Sequence, residues 1–305
     1  MLNFLSPKVK NTRVGVDFLP TGVAVVEIAT GRNNTGQVKR SDFLPSVGVS
    51  EQARVLKQWV QHHGLKNVPC VSLVAKHDVQ LFQLEKPAVA DEELLQAVTW
   101  KIKDLVNFDV ETAVVDVFQL PPSPKSPVTL INAVVANERV VGGYVERILD
   151  SGLALKVLDV HDLVTKNFAS LQEADVLTIA LLHFQDNEGL LTIYHDRDLY
   201  VARDFRIGIL DIESASSEDE AVYDSLLLEI QRSMDYFEST YGLGMVQKML
   251  VYPHTPGSER MLKYLQNYVG YDVDFATIDI ATSATNAQMD RHCFPAYCAA
   301  LRGIS

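Results

Sequence analysis

The chain has 305 residues, 47% of them hydrophobic, and a formal net charge of −12. That length suffices for two domains with sizeable cores, and the acidic balance excludes a domain-wide basic surface that would neutralise nucleic-acid phosphates or an anionic membrane. No apolar run reaches the roughly 18 residues that cross a bilayer, so direct membrane insertion is not expected. The N-terminus lacks the continuous apolar segment and small-residue cleavage site of a signal peptide, so a cytoplasmic location is expected. Cys70, Cys293 and Cys298 are an odd number in a large chain and are expected as reduced thiols.

Val14 and Val16 are apolar and run up to Asp17, residues 23–28 are again β-branched and apolar, and the two runs flank Pro20-Thr21-Gly22. This predicts a strand, a tight turn and a return strand after a short lead-in at 2–11. Asp17 ends the first run. A carboxylate there, before a turn that exposes backbone N–H groups, is one way a phosphate site begins, and a cap on an ordinary hairpin turn is the plainer alternative. A turn at 33–36 and a third strand at 37–43 follow. Ser50 can cap a helix over 50–64 whose apolar face is Ala53, Leu56, Trp59 and Val60, and 68–74 reads as a buried strand. This β-β-β-α-β order is that of actin-like and ribonuclease-H-like domains.

The pattern then changes. A strand at 78–84, a helix opened by Asp91-Glu92-Glu93 with Leu94, Leu95, Val98, Ile102 and Leu105 on its apolar face, and a strand at 112–118 predict a small inserted α/β subdomain. The segment 121–127, with Pro at 121, 122, 124 and 127, is expected as an exposed connector. Beyond it come a strand at 128–135, a helix at 137–151, a strand at 155–158 and a helix from Asp159 or Asp162 to about Leu171. The second half opens with three strands at 176–184, 190–195 and 199–205. A long helix at about 218–240 carries Tyr223, Leu227, Ile230, Met234 and Phe237 as its stripe, and Gly242 ends it. A strand at 248–252, a turn at 253–257, a helix at 258–269 and a strand at 271–275 complete the plan. The repeated three-strand opening suggests two related halves around a cleft.

The segments 15–28, 84–120, 132–163 and 228–242, and within the last Glu229-Ile230-Gln231-Arg232-Ser233, resemble the PilM/MshI family of type IV pilus assembly proteins, MshI belonging to the mannose-sensitive haemagglutinin (MSHA) pilus. The resemblance implies an α/β, actin-like (ribonuclease-H-like) two-lobed fold. Its first lobe is 1–171, with the inserted subdomain at about 77–120 where FtsA also carries one, and its second lobe is 172–305. It also implies a bacterial cytoplasmic scaffold, peripheral to the inner membrane, which docks the N-terminal tail of a PilN-like membrane protein in a groove by the inserted subdomain and couples to motor ATPase components.

The family follows its first-strand Asp with Ile-Gly, small hydroxyl residues and a Lys. Here Phe18 and Leu19 follow Asp17, and Ala24 stands at the Lys position. The family's second phosphate hairpin has Asp-Ile-Gly where this chain has Leu182-His183-Phe184-Gln185, and the adenosine turn is replaced by Pro253-His254-Thr255-Pro256-Gly257. The expectation is a degenerate site, with neither cofactor nor ATPase activity, as in the cytoplasmic domain of GspL. Were the site retained as an ATP-binding switch, Asp17, Thr21, Gly22 and Gly257 would hold ATP and Mg²⁺. His183, alone among apolar residues, reads as a structural or exposed side chain rather than a base. His62-His63 reads as the exposed end of a helix. His292-Cys293 with Cys298 lacks a second close ligand pair, so no metal site is expected.

Overall fold

The computed structural model describes residues 11–31, 36–171, 177–215, 220–281 and 289–303. The expected lead-in at 2–11, the turn at 33–36, the strand start at Val176 and the helix start at Glu218 fall wholly or partly outside them. In chain order the elements are β1 (Thr12–Leu19), β2 (Gly22–Ala29), β3 (Val38–Pro45), α1 (Val49–His62), β4 (Pro69–Val74), β5 (Val79–Glu85), α2 (Asp91–Ile102) and β6 (Ala113–Gln119). They continue with β7 (Leu130–Asn137), α3 (Glu138–Ser151), β8 (Ala154–Val160), α4 (His161–Val164), α5 (Lys166–Ala169), β9 (Thr178–Phe184), β10 (Gly189–His195) and β11 (Asp198–Phe205). The last are α6 (Ile209–Ser214), α7 (Ala221–Tyr241), β12 (Lys248–Tyr252), α8 (Pro256–Gln266), β13 (Asp272–Phe275) and α9 (Phe294–Ala300).

Two compact units result. One comprises Met1–Ala75, Gly142–Asp159 and Ile278–Ser305, the other Lys76–Val141 and Val160–Thr277. The first holds a five-stranded sheet in the order β3-β2-β1-β4-β8, and the second a five-stranded sheet in the order β11-β10-β9-β12-β13. Each opens with three antiparallel strands and continues with a strand parallel to the first, β4 beside β1 and β12 beside β9. This repeated plan is the actin-like α/β fold. The additional antiparallel sheet, β5-β7-β6, belongs to the second unit.

In the first unit, α9 lies directly on β1. A Cβ on Gly15 would sit 1.8 Å from the Ala296 carbonyl oxygen, so no side chain fits between helix and strand. In the second unit one core cluster gathers Leu182, Phe184, Leu191 and Ile193 of the sheet with Tyr223, Leu227, Ile230 and Phe237 of α7. The expected α7 stripe is therefore its buried face. The inserted sheet has its own small core, where Val98 and Ile102 of α2 meet Ile131, Ala133 and Val135 of β7, with Phe82 and Leu84 of β5 against them.

Several expected boundaries move. Gly48, not Ser50, holds the N-cap position of α1, with no side-chain cap bond. Leu95 and Leu105 are about half exposed, because α2 stops at Ile102 and only Val98 and Ile102 turn fully inward. The single helix expected at 159–171 is two short ones separated by Thr165, and Asp159 ends within β8. The strand expected from Val128 begins at Leu130. The turn at 253–257 is shorter than expected, since Thr255 caps α8 and Pro256 and Gly257 already belong to it.

Candidate functional site

The first hairpin is closed by Pro20 and Thr21, with Leu19 opposite Gly22. Asp17 is fully buried within β1, across from Ala24, rather than at the turn. Thr21 is exposed, and its carbonyl accepts the Ser46 N–H at 3.1 Å. Gly22 is hemmed in by β3, since a Cβ there would meet the Leu44 carbonyl oxygen and the Phe43 ring at 2.6 Å. The Leu19 carbonyl accepts Gln52 Nε2 at 2.7 Å, and Gln52 Oε1 accepts Arg147 Nη1 at 3.0 Å. The Arg147 guanidinium also stacks 4.1 Å over the Phe18 ring and 4.3 Å over the Tyr144 ring. Sequence reading found no cation for this turn. α3 supplies one from 129 positions downstream of Phe18, and it serves the hairpin's own packing.

In the second unit, His183 is buried in β9 between Leu190 and Tyr252. Burial, reinforced by the nearby positive charges of Lys76 and His161, depresses its pKa to about 3, so the ring is neutral at physiological pH. The β9–β10 turn is locked onto α6, where Ile209 and Leu210 donate to the carbonyls of Gln185 and Asp186 at 2.8 and 3.1 Å. Thr255 and Ser258 form a capping box that satisfies the first N–H groups of α8. Gly257 is the point where α8 approaches α6, for a Cβ would lie 2.9 Å from the Cα of Glu213. Asp17, Thr21 and Gly22 thus belong to one unit and Gly257 to the other, and each glycine lets its own neighbours come close, β3 at Gly22 and α6 at Gly257.

Among the described residues no group of three or more His, Cys, Asp or Glu is placed to hold a metal ion. Cys70, Cys293 and Cys298 are buried free thiols, with the pKa of each raised by burial. No helix among the described residues is long and apolar enough to cross a membrane.

A groove of about 600 Å³ lies in the second unit. Its floor is the face of the inserted sheet that turns away from α2. There Val79, Leu81 and Gln83 alternate along β5, beside Asn132 of β7. One wall is β11, from Leu199 to Asp204, and Leu120 and Tyr236 of α7 complete it. At one end Lys76 pairs with Asp204 and lies 3.9 Å from Glu188. Asp162 lines the same region, its carboxyl raised above the usual range by burial and pulled partly back by Lys76. Arg203 pairs with Glu229 at 3.1 Å, which also receives Arg232 at 2.9 Å. The resemblance implied a groove by the inserted subdomain but named none of the residues that line it. Its only local trace is the alternation of VQLFQLE in β5, which marks a two-faced strand without revealing what the second face meets.

No protein-family model matches the chain, and no curated protein sequence matches it. Among solved structures, one described as a PilM–PilN type IV pilus biogenesis complex is similar over 98% of this chain and 100% of its own, with a TM-score of 0.69 and 18% identity. The cytoplasmic domain of EpsL, an inner-membrane component of the Vibrio cholerae type II secretion system, covers 85% of this chain and 97% of its own at 11% identity, with a TM-score of 0.49. A Bacteroides thetaiotaomicron protein with an actin-like ATPase fold covers 90% and 93% at 11% identity, with a TM-score of 0.47. The first likeness shows a shared fold. The other two, below a TM-score of 0.5, add nothing to it.

Proposed function

We propose that this protein is a scaffold of a type IV pilus assembly machine, and that its groove receives the cytoplasmic N-terminal tail of a PilN-like inner-membrane protein. The observation that carries the reading is the groove itself: about 600 Å³, walled by a strand at the edge of a sheet and floored by alternating side chains. Such a shape suits an extended chain better than a compact metabolite. The likeness to a chain from a PilM–PilN complex supports the choice of partner. The segment resemblance to MshI points further, to an MSHA-type pilus at the cytoplasmic face of the inner membrane.

The nucleotide elements are read as structural in this protein. Buried Asp17, the closed surroundings of Gly22 and Gly257, and the neutral ring of His183 support that reading. A pseudo-ATPase with a peptide-docking role follows. The test is fluorescence anisotropy of a labelled synthetic tail from the PilN-like protein of the same organism, titrated with the full chain. Saturable binding that a scrambled tail does not reproduce is expected, and its absence would overturn the docking reading.

A further inference from the structure

We infer that the occupant of the groove binds as an added β-strand on the free edge of β11, an inference that rests on the docking reading above. β11 has β10 on one side and no strand on the other among the described residues. Which of its backbone groups point outward follows from the hairpins. Gln185 donates to the Glu188 carbonyl and Asp196 donates to the Leu177 carbonyl, so even-numbered residues of β10 bond to β9. Leu191 and Ile193 therefore bond to their β11 partners Arg203 and Val201. The N–H and C=O groups of Ala202 and Asp204 point away from the sheet, and nothing among the described residues bonds to them.

Tyr200 is the extra residue of a bulge, and its carbonyl accepts the Tyr241 hydroxyl at 3.3 Å. The regular run Val201–Phe205 thus leaves one short, defined stretch for pairing, long enough for a strand of about five residues. A strand laid there alternates its side chains between solvent and the floor. Val79 and Leu81 favour an apolar residue inward, and Gln83 with Asn132 favours a polar one. At the end where Lys76 meets Asp204 and Glu188, with Asp162 and His161 beside them, the three carboxylates outnumber the cations, which favours a Lys or Arg on the incoming chain.

Two measurements on the full chain test this, both with the tail peptide as probe. Ala202→Pro removes an N–H that the sheet does not use and imposes a φ that an edge strand accepts, so the fold is expected to persist with an unchanged unfolding midpoint. Affinity for the tail is expected to fall about tenfold or more. Independently, tails N-methylated at one position at a time are expected to lose affinity for the unaltered protein at alternate positions only. Tail binding that is indifferent to both changes would overturn the added strand while leaving the docking reading intact. No binding of the unmodified tail would overturn both. Should Ala202→Pro fail to fold, the N-methyl series decides alone.

Discussion

Arg147 shows how the first hairpin is held without the lysine that phosphate binding would call for. Its planar guanidinium lies over Phe18 and Tyr144 and, through Gln52, fixes the Leu19 carbonyl at the turn. Arg147→Ala removes both the stack and the relay and is expected to cost about 1 to 3 kcal/mol in denaturant unfolding, with little rescue by Lys, which lacks the planar fork. Gly257→Ala drives a methyl into the backbone of Glu213 and is expected to cost about 1 to 3 kcal/mol of thermal stability without changing tail affinity. His183 makes a different prediction. Its native pKa of about 3 lies below the ~6.5 of an unfolded histidine, so the unfolded chain binds a proton that the native chain excludes. Stability should fall by up to about 1.4 kcal/mol per pH unit between about pH 6.5 and pH 3, and His183→Leu should flatten that limb in a series of unfolding curves.

At the scale of elements, the connector expected to be merely exposed has a structural task. Ser123 donates to the Thr240 carbonyl, and Lys125 Nζ donates to the carbonyls of Glu238 and Ser239 at 2.8 and 3.1 Å. Together they satisfy the last turn of α7, where a cation also favours the helix dipole. Lys125→Ala should cost about 0.3 to 1 kcal/mol and speed amide exchange in that last turn. Strong periodicity made most elements legible: the apolar runs of β1, β2 and β9 are buried strands, and Tyr223 to Phe237 mark the inner face of α7. Short elements and ends were less so. Nothing local announces that Thr165 divides the helix expected at 159–171, or that Leu95 turns outward while Val98 turns in, because tertiary packing decides both.

At the scale of the molecule, the repeated three-strand opening made the fold class readable from the order of elements alone. The residues that line the groove were not readable, and the reason is physical. Its lining comes from Lys76, β5, Asn132, Asp162, β11 and Tyr236, and only sheet order makes β11 an edge. Propensity and periodicity report whether a strand forms and which face is apolar, and they are silent on which strand is left unpaired.

A scaffold that docks an extended tail and a nucleotide-binding switch differ in what they bind in solution. The most direct test is calorimetric titration of the tail peptide into the full chain, with and without Mg²⁺-ATP, preceded by a titration of Mg²⁺-ATP alone. Of the tail-docking scaffold proposed above, binding heat from the tail, the same tail affinity in the presence of ATP, and no heat from the nucleotide are expected. Heat from ATP with a silent tail would contradict it and make Asp17, Thr21, Gly22 and Gly257 the residues to mutate next.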